Sequence, residues 1–222
     1  MHHVSVLPAP ELIYPVILLA SVIQSLFGVG VLLLGTPWML LLGMTFPATL
    51  QLLLPISLTI SLLQLRRGHQ YVDRVLLRGI ATLTLPAIVV ALLASTRWSP
   101  PLEIFVAILV LTFSLQDRVR FIRHGLSQLL GFERTYIAIM GFVHGASNLG
   151  GSMLTALAFG KGLHRDISRA TIAAGYTLFA VVQFTTLRLA GTNWQVDVGT
   201  GVRLIVVGVT TFWLTEHYIF KI

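Results

Sequence analysis

From Met44 to Gln64 the chain carries no ionisable side chain, and this run is one of several like it. About 20 such residues wound as a helix reach across a hydrocarbon layer of about 30 Å. Hydrophobic residues make up 55% of the chain and charged residues only 10%. A water-soluble domain carries about 25% charged residues to solvate its surface, so most of this surface has to face lipid. The expected class is an all-α, polytopic membrane protein.

The net charge of +7 would point to nucleic acid in a soluble protein. Here the basic residues gather in short loops between apolar runs, where they orient a chain in the bilayer. The expected partner surface is therefore the lipid bilayer, with no nucleic acid. The chain has no cysteine, which removes disulfides and thiolate metal sites. No metal and no cofactor is expected. The first residues lack a positively charged start and lead into further apolar runs, so a cleaved signal peptide is not expected.

Five segments are predicted as full spans: Met44 to Gln64, Gly79 to Thr96, Pro101 to Gln116, Ala170 to Ala190 and Thr200 to Phe220. Four shorter apolar pieces come in two pairs. Ile13 to Phe27 and Val31 to Leu42 are parted by Gly28-Val29-Gly30, and Tyr136 to Ser147 and Ser152 to Gly160 by Asn148-Leu149-Gly150-Gly151. At 1.5 Å per residue these legs reach about 14 to 22 Å, less than the hydrocarbon core. Each pair is read as a hairpin that enters the membrane and turns near its middle. The competing reading is two short or tilted spans whose glycines serve packing.

Arg66, Arg67, Arg74 and Arg78 share one loop, Arg118, Arg120, Arg123 and Arg134 a second, and Lys161, Arg165 and Arg169 a third. With Lys221 these make 12 of the 15 basic residues. All fall on one side of the predicted spans, which makes that side cytoplasmic. The expected placement is a multi-pass protein of the cytoplasmic (inner) membrane, N-terminus outside and C-terminus inside.

The halves resemble one another. Gly30 matches Gly150, Gln24 matches His144, and the following spans open with Ala48-Thr49 and Ala170-Thr171. The first hairpin enters from outside and the second from inside, which predicts two inverted repeats, a common plan for secondary transporters. One transport domain is expected over residues 1–222: repeat 1 over about 9–117, a basic cytoplasmic linker over about 117–134, and repeat 2 over about 135–222. The second half is expected to lack the last span of the first.

The run Gln24-Ser25-Leu26-Phe27-Gly28-Val29-Gly30-Val31, followed by Thr36-Pro37 and Ala48-Thr49, resembles the sulfite exporter TauE/SafE family of transporters. So does His144-Gly145-Ala146-Ser147-Asn148-Leu149-Gly150-Gly151, followed by Ala170-Thr171. The resemblance implies transport of sulfite, sulfonates or related organosulfur anions across the cytoplasmic membrane.

All eight carboxylates, Glu11 to Glu216, lie in loops or near segment ends. A carboxylate-lined cation site is therefore not expected, while an anion meets no buried negative charge. A helix that starts within the membrane presents free N–H groups and a positive dipole end, and glycine lets an oxyanion approach the backbone. The candidate substrate-binding residues are Gln24, Ser25, Gly28, Gly30, Thr49, His144, Ser147, Asn148, Gly150, Gly151 and Thr171, with Ser152, Tyr176 and Gln183 beside them. If the hairpin tips meet, both positive ends converge on one small anion. His144, the one ionisable side chain deep in a predicted segment, is the proton-coupling candidate; a neutral packing histidine is the alternative. The expected function is alternating-access transport, the alternatives being an anion channel or facilitator of another substrate class and an intramembrane enzyme. The last is disfavoured, because no Gly-x-Ser-x-Gly elbow, orienting acid or metal-binding motif accompanies His144 and Ser147. A homodimer would suit so small a unit.

Overall fold

The computed structural model describes residues 8–98 and 131–220, together with Ile108 and Leu111. Every regular element among them is helical. In chain order these are α1 (Pro10–Phe27), α2 (Val31–Leu41), α3 (Phe46–Gly68), α4 (Arg74–Gly79), α5 (Leu85–Trp98), α6 (Glu133–Ser147), α7 (Gly150–Gly160), α8 (Arg165–Leu189) and α9 (Val198–Phe220). Among the described residues, five helices are long and apolar enough to cross a membrane: Pro10–Phe27, Phe46–Tyr71, Arg74–Arg97, Arg165–Leu189 and Val198–Ile219. The predicted span Pro101 to Gln116 lies outside the described residues, apart from Ile108 and Leu111. The first of the five corrects a prediction, since the leading leg of the first hairpin is long enough to span. Its 18 residues rise about 27 Å. Pro10 stands in the first turn and Glu11 beside it; proline is preset for that position and an acid suits the dipole there, so the helix begins ahead of the apolar run.

The outer faces are apolar and bare. Leu12, Leu19, Val90, Phe142, Val202, Val206 and Trp213 are all exposed. In water such a surface would be an association site, whereas a hydrocarbon surround accepts it without cost. These helices make the protein a multi-pass membrane protein in architecture.

Local chemistry sets the helix ends. Thr45 caps α3, its hydroxyl accepting from Ala48 N–H at 3.4 Å. Asp73 caps α4 through Val75 and Leu76 N–H at 2.9 and 3.1 Å, and Asp197 receives Thr200 N–H at 2.8 Å. The Thr200 hydroxyl and N–H hold the Asp197 carboxyl below its ordinary pKa. Between α4 and α5 the chain widens into a π-helical turn over Ile80–Thr84. There the Thr84 hydroxyl donates to the Ile137 carbonyl at 2.9 Å, tying this helix to α6. Gly141 and Gly145 complete that contact. A Cβ on them would come within 2.5 Å of the Thr84 and Ile88 carbonyls, the close approach small residues permit between membrane helices.

The long helices α3 and α8 pack against each other most extensively, and they run antiparallel. Gln51, near the start of α3, donates to Asn193 O at 2.8 Å and accepts from Gln195 N–H at 2.7 Å, just past the end of α8. Thr171, near the start of α8, accepts from Asp73 N–H at 2.9 Å, just past the end of α3. The α1–α2 unit packs on α3, and α6–α7 on α8 and α5.

Candidate functional site

Two breaks, one after α1 and one after α6, are built alike. At the first, Gly28 adopts φ +80°, which glycine tolerates, and its N–H donates to Gln24 O at 2.8 Å. Gly30 then opens α2. Its backbone is extended, so conformation does not demand glycine there; space does. A Cβ would lie 2.5 Å from Gln24 N and closer still to the Ala20 carbonyl. The Gln24 side chain accepts from Val31 N–H at 2.9 Å and directs its amide nitrogen to Ser61 Oγ at 3.5 Å.

At the second break Asn148 takes the left-handed conformation, φ +66°, and its N–H donates to His144 O at 2.8 Å. Asparagine is among the few side chains that visit this region readily. Gly150 opens α7, and a Cβ there would lie 2.5 Å from His144 Cβ and 2.6 Å from Met140 O. His144 Nε2 lies 3.2 Å from Gln183 Oε1. An acceptor opposite Nε2 places a proton on that nitrogen, so in the neutral ring Nδ1 bears the lone pair.

The second break is the richer in uncommitted polar atoms. His144 Nδ1, Asn148 Oδ1, the Tyr176 hydroxyl and Gln183 Nε2 are buried and have no partner among the described residues. His144, Asn148 and Tyr176 lie about the start of α7, and Gln183 joins them through His144. A Cβ on Gly151 would overlap the Tyr176 hydroxyl, and the His144 ring sits 6.2 Å from Tyr176 and 4.5 Å from Phe179, centroid to centroid. Leaving one buried polar atom unpaired costs about 1–3 kcal/mol; Ser21 Oγ, Thr49 Oγ1, Ser57 Oγ and Gln64 Oε1 are buried and unpartnered elsewhere among the described residues. Glu216, the one buried carboxylate among the described residues, belongs to a different cluster.

The polar candidates fall into two groups. Asn148 donates from Nδ2 to Thr36 Oγ1 at 2.9 Å, so the second break meets α2 beyond its start. Ser25, beside the first break, instead donates to Glu216 Oε1 at 3.3 Å. Along α8 the two breaks lie about one turn apart, since a Cβ on Gly28 would be 3.7 Å from Ile172 Cγ2 and one on Gly151 would overlap the Tyr176 hydroxyl. Several expected ligands are already engaged: Ser147 with Val143 O at 2.6 Å, Ser152 with Leu149 O at 2.8 Å, and Thr171 with Asp73 N–H at 2.9 Å. The Thr49 hydroxyl is buried without a partner among the described residues, close in sequence to Gln51 at the other end of α3.

Sequence reasoning did not reach Thr36 as a partner of Asn148, or Phe179 as the wall beside His144. Both are single apolar-helix positions whose role depends on a partner more than 30 residues away. Among the described residues no group of three potential metal ligands forms. Comparison with family models, with curated proteins and with solved structures finds no match.

Proposed function

We propose that this protein is a transporter of small sulfur-containing anions, sulfite or sulfonates, working by alternating access around the second break. The observation that carries the reading is the set of four unpartnered buried atoms, His144 Nδ1, Asn148 Oδ1, Tyr176 hydroxyl and Gln183 Nε2, on residues at the start of α7 or joined to it through His144. The free N–H groups and positive end of α7 favour an anion, and Gly151 lets the Tyr176 hydroxyl close on that helix start. Tyr176 and Gln183 donate to its oxygens, while the neutral His144 Nδ1 and Asn148 Oδ1 accept. A mixed set of this kind suits an anion that travels with a proton. When that proton rests on Nδ1, the imidazole donates from both nitrogens and adds its charge to the site. All four side chains are fully buried, as in a closed state, so entry requires the α6–α7 hairpin to shift against α8.

The inverted-repeat plan belongs to the same proposal. Gln24–Ser61 and His144–Gln183 are equivalent pairs, each joining the residue four before a left-handed break to the long helix that follows. The antiparallel α3 and α8 support the inversion. Glu133 and Lys161, 2.7 Å apart, bring the beginning of α6 to the end of α7. With 15 and 11 residues, these helices rise about 22 and 17 Å, which favours a hairpin that returns to its own face. The basic loops favour the cytoplasm for that face, with the N-terminus outside.

Binding tests the reading. Purified protein titrated with methanesulfonate or sulfite should show saturable stabilisation that choline chloride does not produce. An equal response to all salts would remove the anion site.

A further inference from the structure

A second polar cluster lies at the Arg67 end of α3, apart from the four atoms of the second break. The Glu216 carboxylate, on α9, is 5% exposed as a residue. It accepts from Arg169 Nη2 at 2.9 Å, from Arg67 Nη1 at 3.3 Å and from the Ser25 hydroxyl at 3.3 Å. Arg169 Nη2 also donates to the Ser25 carbonyl at 3.0 Å. Four helices, α1, α3, α8 and α9, thus meet on one carboxylate. Two guanidiniums and a hydroxyl around two oxygens are the donor set that binds a free oxyanion, through charge-assisted bonds.

A buried ion pair alone argues weakly for anything but structure. Here a cavity of about 160 Å³ opens onto the same groups, lined by Arg67, Arg169, Glu216, Gln64 and Asp166. The Arg67 side chain is 48% exposed and that of Arg169 23%, so both can be reached from the cavity. Asp166, the other acid in its wall, has its carboxylate 3.5 Å from His164 Nδ1. At about 30 Å³ per water, the space holds a small oxyanion with part of its hydration. Gln64 also ties the cavity to the first break, donating to Gln24 O at 3.2 Å.

We infer that Arg67 and Arg169 form an oxyanion-receiving site beside the first break, in which the Glu216 carboxylate stands where an incoming sulfite-like or sulfonate-like anion binds once it displaces that side chain. The site goes beyond the transport reading and needs only an anion at that face.

The chain has no cysteine, so Glu216→Cys supplies a single thiol at the position the carboxylate leaves. Its modification by an anionic sulfonatoethyl methanethiosulfonate is compared with that by a cationic trimethylammonioethyl one, each rate normalised to a free thiol. The anionic reagent should lead by about ten-fold, methanesulfonate should slow it several-fold, and the lead should vanish when Arg67→Gln and Arg169→Gln are added. Equal normalised rates, or a lead that survives loss of both arginines, would overturn the site. If Glu216→Cys does not accumulate, Tyr71→Cys, in the wall of the same cavity, is read by the same criteria with Glu216 in place. Anion flux and this charge preference fail separately. Loss of flux with the preference intact counts against transport alone, and the converse counts against the Arg67–Arg169 site alone.

Discussion

His144 and Gln183 face each other across the α6–α8 interface, Nε2 to Oε1 at 3.2 Å, both fully buried. That contact leaves the second ring nitrogen and the amide nitrogen without partners among the described residues, and the proton-coupled account of the site turns on those two atoms. Glutamine in place of histidine keeps polarity without a ring nitrogen that can take up a proton. His144→Gln should abolish the response of anion uptake to a pH gradient, by ten-fold or more, while anion exchange at equal pH persists. Parallel uptake and counterflow assays in proteoliposomes separate the two. An undiminished gradient response in His144→Gln would assign the coupling elsewhere.

Two tyrosines give a paired test. The Tyr136 hydroxyl donates to Met153 O at 2.8 Å, whereas that of Tyr176 has no partner among the described residues. Tyr136→Phe should therefore cost about 1 kcal/mol of stability, the usual worth of such a bond. Tyr176→Phe should leave thermal stability within about 0.5 kcal/mol and weaken anion binding about ten-fold. Thermal unfolding and anion titration of both variants check the pair. Equal loss of stability would make Tyr176 an ordinary core residue.

Gly150 is set by close approach rather than by backbone angle. Gly150→Ala presses a Cβ against His144 Cβ and the Met140 carbonyl. Overpacking of this kind costs about 1–3 kcal/mol and would shift the site. Gly201, in the first turn of α9, has nothing within 4 Å of an added Cβ. Gly201→Ala should be neutral or stabilising by up to about 1 kcal/mol. Thermal midpoints in one detergent compare them.

Topology can be read with single thiols in the cysteine-free chain. His164→Cys, in the exposed turn before α8, should react with an impermeant maleimide only in inside-out vesicles. Asn193→Cys, in the exposed turn after α8, should react in intact cells. The opposite pattern would invert the proposed orientation and leave the helices as they are.

The sequence displayed its long apolar runs openly, because a membrane span is a matter of composition over about 20 residues. The breaks at Gly28 and Gly150 were equally legible, since glycine and asparagine mark where a helix must stop. The π-turn at Ile80–Thr84 was not, as a change of hydrogen-bond register leaves no side-chain period behind. Nor was the early start of α1, where Pro10 and Glu11 extend a helix ahead of its apolar stretch. Glu216 read as an acid near a helix end; its burial depends on Arg169, 47 residues earlier, and on Ser25, 191 residues earlier. Likewise the local pattern placed His144 deep in a segment, while its partner Gln183 and neighbour Phe179 emerge only once α6 is laid against α8.

In the proposed function His144, Asn148, Tyr176 and Gln183 bind a sulfur oxyanion that crosses the membrane. Flux of sulfite and methanesulfonate into proteoliposomes, with and without an imposed pH gradient, shows whether it does. Uptake should be saturable, rise with the gradient and fall at least ten-fold in the doubly substituted Tyr176→Phe, Gln183→Leu protein. Absence of flux for every sulfur anion tried, in protein that retains its thermal stability, would contradict it.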